Sequence, residues 1–288
     1  MNPRVSIGMP VYNEDKFLLE SLKSLLDQEY DNLEIIISDN ASTDATQEIC
    51  RGIAAQDNRV TYYRQNHNRG AAENFRQVLD LAGGQYFMWA SGHDLWSPNL
   101  VSECVKLLEQ EPEAVIAFGS SRWINAQGKP LRRFSGWTDT RGMDSVARFY
   151  SVFWGNMHPI LGVIRTESLH KTLGILETAG ADLILLTELA LQGHFVHATA
   201  ASWYRRDFRE VESYTQRMKR YQGRTYGLSK SLYSKIFPLM RLPFELIKSV
   251  LRSKITMLEK FCLLFTLLPA LPVKYLLTRK RQTGRNAE

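Results

Sequence analysis

The pattern that most narrows the fold is an alternation repeated four times in the first hundred residues. Residues 5–9, 33–37, 60–63 and 86–90 are short apolar runs, each closed by Pro, Gly, Ser, Asp or Asn or by a polar loop. Between them the apolar residues fall at helical spacing. Phe17, Leu18, Leu22, Leu25 and Leu26 share a face with Ser21, and Ile49, Ile53 and Ala54 mark a second helix. A third runs over 71–81 and ends at Gly83-Gly84. Near-continuous apolar strands alternating with helices describe a parallel sheet covered on both faces, an α/β fold.

Three of the strand ends carry polar clusters: Tyr12 to Glu14, Asp39 to Asp44, and His93-Asp94. In an open parallel sheet these ends lie along one edge, where ligands bind. Acidic and amide groups converging there suit a nucleotide. Asp39 is placed to accept from a base or ribose, and Asp94 to hold a divalent cation against a phosphate. A plainer reading of Asp94 is that it helps to cap the next helix, for which Ser97 is the expected N-cap and Pro98 the first helical residue. No Gly-x-Gly-x-x-Gly follows the first strand and no Gly-x-x-x-x-Gly-Lys-Ser/Thr occurs, which disfavours a dinucleotide fold or a P-loop NTPase.

Beyond residue 98 the reading is coarser. Strands are expected at 114–118, 160–164, 195–197 and 202–204 and a strand and turn over 122–129, with a loop-like stretch at 130–142 that includes Trp137. Asp182 opens a helix through Leu183, Leu186, Leu189 and Ala190 that ends at Gly193. Two readings fit Asp182: a first-turn acid stabilising the helix dipole, or a general base facing the pocket. Arg205-Arg206 follows an aromatic strand, and a guanidinium fork matches phosphate oxygens. The further cations Arg209, Arg217, Lys219, Arg220 and Arg224 read as a solvated helix face.

From Ile236 apolar blocks alternate with single cations, and the apolar run at 261–269 is shorter than the ~20 residues of a spanning helix and broken by Pro269 and Pro272. Arg279, Lys280, Arg281 and Arg285 follow it. Amphipathic helices on an anionic membrane surface are the expectation, against packing on the main domain or on a second subunit. The net charge of +6 suits anionic partners, but no nucleic-acid recognition motif accompanies it. Three cysteines without a Cys-x-x-Cys pair argue against a zinc site or disulfide framework. No signal-peptide pattern opens the sequence, so a cytoplasmic location is expected.

Four blocks together resemble family 2 glycosyltransferases with the GT-A fold. They are Ile7-Gly-Met-Pro-Val-Tyr-Asn-Glu14, Ser38-Asp-Asn-Ala-Ser-Thr-Asp44, Asn68-Arg-Gly-Ala-Ala-Glu-Asn74 and His93-Asp-Leu-Trp96, in the family's order and spacing. The resemblance continues more loosely to about residue 206 and leaves out the C-terminal helices. It implies that Pro10, Tyr12, Asn13, Glu14 and Asp39 hold the nucleotide base, and that Arg69, Gly70 and Asn74 line the donor pocket. It implies that Asp94, with His93 where the family has an acid, holds Mn²⁺ or Mg²⁺ on the sugar-nucleotide pyrophosphate. It makes Asp182 the catalytic base, with Ala181 in place of the usual neighbouring acid, and Arg205 or Arg206 a phosphate contact.

The expected organisation is a GT-A domain over 1–230, with a nucleotide-sugar half to 98 and an acceptor half from 99, and a helical segment over 231–288. The expected activity is metal-dependent inverting transfer from a UDP- or dTDP-sugar to a lipid-linked or glycan acceptor in bacterial surface polysaccharide synthesis. The enzyme would sit on the inner face of the cell membrane, with an oligomer open. The rival readings are a degenerate nucleotide-sugar-binding scaffold and a sugar nucleotidyltransferase.

Overall fold

The computed structural model of the chain describes residues 2–133, 139–156, 158–208 and 241–284. Strands β1 (Val5–Val11), β2 (Leu33–Asp39), β3 (Val60–Arg64) and β4 (Tyr86–Trp89) alternate with helices α1 (Asp15–Leu26), α2 (Thr46–Gln56) and α3 (Ala71–Asp80). All pairings among these strands are parallel. Their side chains explain why: β1 and β4 bury almost every residue on both faces, which only a sheet covered on both sides permits. Leu18, Leu22 and Leu25 of α1 are fully buried. Each such side chain contributes about 2 kcal/mol by leaving water. Gly8 lets α3 approach the sheet, because a Cβ there would lie 2.6 Å from the Phe87 ring and 2.7 Å from Val78.

The rest of the sheet is mixed. After β5 (Leu95–Trp96) and α4 (Leu100–Gln110) come β6 (Ala114–Asn125), β7 (Pro130–Leu131), α5 (Ser145–Trp154), β8 (Val163–Arg165), α6 (Thr166–His170), α7 (Ala181–Gln192) and β9 (His194–Asp207). The strand order is β3-β2-β1-β4-β8-β6-β9-β5, with β7 on β6. Residues on both sides of position 98 thus build one sheet. The boundary expected at 230 falls within 209–240 and lies outside the described residues, as do Trp137, Arg209, Arg217, Lys219, Arg220, Arg224, Ile236 and Arg285.

Several local expectations are corrected. Residues 114–125 form one strand, not two, and so do 194–207. Their parallel pairing skips residues 199–201, a bulge opposite Gly119 and Ser120 that the sequence presents as a break. The apolar stretch from 160 is a 3₁₀ turn, His158–Leu161, before the short β8. Helix α4 starts later than Ser97 suggests, with Asn99 as its N-cap. Ser97 instead accepts from Ser202 N–H at 2.9 Å and ties that turn to β9.

The last helices are α8 (Arg241–Arg252) and α9 (Met257–Gly284), and α9 continues through Pro269 and Pro272. Leu246, Val250, Leu263 and Leu267 join Phe149, Phe153, Leu183 and Ile184 in a core of their own. One face of this segment therefore packs on the main domain.

Candidate active site

The loops after β1 and β2 are zipped together. Asn13 N–H donates to Ser42 Oγ at 3.0 Å, Glu14 N–H to Thr46 Oγ1 at 2.9 Å, and Thr43 N–H to Asn13 Oδ1 at 2.8 Å. Both loops hold a non-glycine residue in the left-handed region, Asn13 (φ 54°) and Ala41 (φ 62°). An alanine there is strained and persists because its surroundings fix it. Pro10 does not close the first strand as the sequence suggests but lies within it, opposite Ser38; Val11 ends β1, and Tyr12 stands 44% exposed beside the corner.

Asp39 is fully buried at the end of β2. Its carboxylate accepts from Ser42 N–H at 2.8 Å, Tyr62 OH at 2.7 Å and Arg64 Nη1 at 2.5 Å. Tyr62 and Arg64 alternate on β3, the strand beside β2, and were not singled out from sequence. Burial and the Asp39 charge push the Tyr62 hydroxyl pKa up. Asn74 is buried too. It accepts from Ser38 Oγ at 2.6 Å and donates to the carbonyls of Val11 and Ser38, joining α3 to two strand ends. Gly70 (φ 90°) opens α3, and Arg69, its N–H on Asn40 Oδ1, turns its guanidinium to Glu73 at 2.8 Å.

The His93-Asp94 corner is held by β9. Because β5 pairs antiparallel with β9, Trp96 lies opposite Trp203 and Leu95 opposite Tyr204. That register brings Trp203 Nε1–H to Asp94 Oδ2 at 3.0 Å and Arg206 N–H to Asp94 Oδ1 at 2.9 Å. The Arg206 guanidinium is buried and donates to His93 O, Ala126 O and Glu20 Oε2. It also stacks 4.5 Å over Phe17. It braces the corner from inside, whereas the phosphate contact expected of the Arg205-Arg206 pair requires an outward guanidinium.

His93 Nδ1 lies 3.0 Å from Glu14 Oε2, and Nε2 lies 3.9 Å from Asp94 Oδ1. With Nδ1–H donating to Glu14, the Nε2 lone pair faces Asp94. Among the described residues no three His, Cys, Asp or Glu side chains form a closed metal cage. Ions such as Mg²⁺ are commonly held by one or two carboxylates together with substrate phosphates. Each Asp94 oxygen accepts one hydrogen bond and keeps acceptor capacity. The donor set fits a divalent ion shared with a diphosphate.

Trp203 links this corner to a second group. His158 packs edge-on against it, with ring centroids 5.4 Å apart. The Arg205 guanidinium lies 3.0 Å from His158 Nε2 and 4.5 Å above the Trp123 ring, its cross-strand neighbour. Burial and the nearby Arg205 charge push the His158 pKa down to about 4, so the ring is neutral at ordinary pH. His158, Trp123, Trp203 and Glu20 were missed as site residues. The signal available was β-strand alternation, which puts Trp203 and Arg205 on one face of β9 and Arg206 on the other.

Asp182 sits in the first turn of α7, after Gly180 in the left-handed conformation. It is open to solvent, yet protein atoms crowd it. Its carboxylate thus reaches solvent at the edge of a densely packed region. The crowding pushes its carboxyl above the usual carboxylate range, against the opposing pull of Arg205. Ala181 beside it is buried.

Comparison with known proteins agrees with this geometry. The model of glycosyl transferase family 2 matches residues 6–161. A glycosyltransferase named GlyG from Streptococcus pneumoniae is 33% identical over 120 residues, 42% of this chain and 40% of that protein. GalNAc(5)-diNAcBac-PP-undecaprenol beta-1,3-glucosyltransferase of Campylobacter jejuni is 30% identical over 137 residues, 46% of this chain and 43% of that protein. The chain thus spans less than half the length of these curated relatives. Among solved structures, residues 1–349 of S. aureus TarS with UDP-GlcNAc superpose with a TM-score of 0.68 at 16% identity, over 92% of this chain and 71% of that one. The mannosyltransferase PcManGT from Pyrobaculum calidifontis, with GDP-Man and Mn²⁺, gives 0.56 at 18% identity, over 98% and 85%. Sheet order, strand-end clusters and the matched stretch agree: the chain has the GT-A fold and belongs to glycosyl transferase family 2.

Proposed function

We propose that the protein transfers a sugar, with inversion, from a nucleoside-diphosphate sugar to an acceptor hydroxyl. The observation that carries this is Asp182. It is an exposed carboxylate with a raised pKa at the edge of a densely packed region, and among the described residues its one hydrogen-bond donor is its own backbone N–H. An acid left without side-chain partners beside a cation suits proton abstraction better than structural support. Asp182 takes the proton from the acceptor hydroxyl as the oxygen attacks the anomeric carbon. The bond from that carbon to the diphosphate oxygen breaks on the opposite face, so no covalent intermediate is needed.

The donor lies across the ends of β1, β2 and β4. Pro10, Tyr12, Asn13 and Glu14 form the base-facing corner, backed by Asp39. Arg69 and Gly70, braced by Asn74, border the donor pocket. Arg205 faces the diphosphate. Asp94, with His93 behind it, would hold Mg²⁺ or Mn²⁺; when bound, such an ion neutralises charge on the departing diphosphate. A UDP- or dTDP-sugar is the favoured donor, supported by the UDP-GlcNAc complex of the TarS neighbour. The name of the Campylobacter jejuni relative, whose substrate is an undecaprenol-linked glycan, supports a lipid-linked acceptor.

Calorimetry over UDP, dTDP and GDP sugars, with and without Mn²⁺, tests the donor and metal assignments. One donor binding tightly, and more weakly after chelation or in Asp94→Ala, supports them; no donor binding to folded protein removes them. A silent nucleotide-sugar binder is the second reading, favoured by Ala181 where the family places an acid. Unchanged behaviour of Asp182→Asn would select it.

A further inference from the structure

The second C-terminal helix is built inside out. Three of its polar side chains face the protein: Glu259 accepts from Ser145, Thr266 accepts from Tyr150, and Lys274 donates to the Phe153 carbonyl and lies over the Phe153 ring. These three positions, seven and eight residues apart, occupy one helical face with the buried Leu263 and Leu267. The outward face is the apolar one. From Met257 to Leu276 every exposed side chain that is described is uncharged. Met257, Phe261, Phe265 and Leu268 are each exposed by two-thirds or more. An apolar stripe of this length on a surface helix marks an interaction site.

The neighbouring charges say what covers it. The acids in 241–276 are Glu245 and Glu259, and both are half-buried and engaged, Glu245 by Arg241 and Lys248 and Glu259 by Ser145 and Thr256. The exposed ionic groups of α8 and the following turn are Arg241, Lys248, Arg252 and Lys254, all cations, beside exposed Phe244 and Leu251. Apolar side chains bordered by cations, with no exposed acid in 241–276, complement an anionic lipid surface. No helix among the described residues is long and apolar enough to cross a membrane, so contact in the plane of the interface is the mode that fits.

We propose that the outward face of α8 and α9 docks on an anionic lipid bilayer, Phe261 and Phe265 entering the headgroup boundary and Arg252 and Lys254 meeting lipid charge. Docking on this face also places the bilayer near the acceptor side. The Leu242 side chain packs 3.1 Å from where a Gly180 Cβ would stand, and Gly180 is two residues before Asp182. The bilayer then borders Asp182, and a lipid-held acceptor hydroxyl reaches the base. This last step rests on the transferase reading; the docking does not.

The test uses the full chain and phosphatidylcholine vesicles with or without phosphatidylglycerol, read by co-sedimentation. The expected result is binding to the anionic vesicles that weakens with salt, and falls about tenfold or more in F261E/F265E and in R252E/K254E. These side chains are exposed, so both variants are expected to fold, checked by circular dichroism. Three results overturn the proposal: no vesicle binding by the unchanged chain, equal binding by folded F261E/F265E, or a lipid-free dimer that F261E/F265E dissociates, which makes a second copy the occupant. Donor binding, measured on the same samples, separates the two readings. Vesicle binding without donor binding removes the transferase reading alone, and donor binding without vesicle binding removes the docking alone.

Discussion

The edge at the strand ends and the surroundings of Asp182 are built on opposite principles. At the ends of β1, β2 and β4 each buried polar group named above has partners. Asp39 accepts three hydrogen bonds, Asn74 makes three, and Asp94 is held by two N–H donors from β9. Across Trp203 the pattern reverses. Asp182 has no side-chain hydrogen bond among the described residues, and the buried Nδ1 of His158 has no partner there. Satisfied networks rigidify, whereas groups left unsatisfied are held by packing and await a ligand. On the proposed mechanism, one half is shaped before the donor arrives and the other keeps its chemistry open.

The largest expected effect lies on the open side. On the proposed mechanism Asp182→Asn removes a base and no structural bond. Turnover is expected to fall by about 10² to 10⁴-fold. Donor affinity by calorimetry and the thermal midpoint stay near those of the unchanged protein. A fall in stability instead would show that Asp182 is structural after all. The reverse is expected at the edge. Asp39→Ala leaves Tyr62 and Arg64 without their shared acceptor, at a cost of about 2–3 kcal/mol in denaturant unfolding, since solvent reaches part of Arg64. Unchanged unfolding with lost donor affinity would mean that Asp39 serves the ligand alone.

How far these differences could be read from sequence depends on whether they are local. Strand and helix period places β1 to β4, and polar residues at three strand ends place the edge, because both follow from nearest neighbours along the chain. The position of Asp182 in a first helical turn was legible too. Long-range register was not. Arg205 and Arg206 look alike as a dipeptide, and only pairing of β9 with β5 and β6 turns one under the His93-Asp94 corner and the other over Trp123. Tyr62, Arg64 and His158 acquire their roles the same way, across the sheet. Helix α9 shows a related limit. Its composition is apolar and basic, but which face is which depends on Ser145, Tyr150 and Phe153, more than a hundred residues away.

Adjacent arginines therefore offer a controlled contrast. Arg206→Met removes a buried guanidinium from Glu20 and two carbonyls, and is expected to cost about 2 kcal/mol of stability, read by urea unfolding. Arg205→Met is expected to leave unfolding nearly unchanged, because its guanidinium is only partly buried. An inversion of the two results would break the assignment of brace and site.

The smallest effect is the most specific to Asp182. Burial raises the Asp182 pKa and Arg205 lowers it, so the free enzyme loses its base as pH falls through a value above the ordinary carboxylate range. Arg205→Met removes the lowering charge. The pKa then climbs further, and the acid limb of kcat/KM moves to higher pH. His158 adds no limb between pH 5 and 8, because with a pKa of about 4 it is already neutral there. Removing Arg205 also lifts that value toward 6.5, the opposite direction from a His that loses an acidic partner. A limb that stays in place in Arg205→Met, or moves to lower pH, would mean that the group titrating in kcat/KM is not the carboxylate beside Arg205.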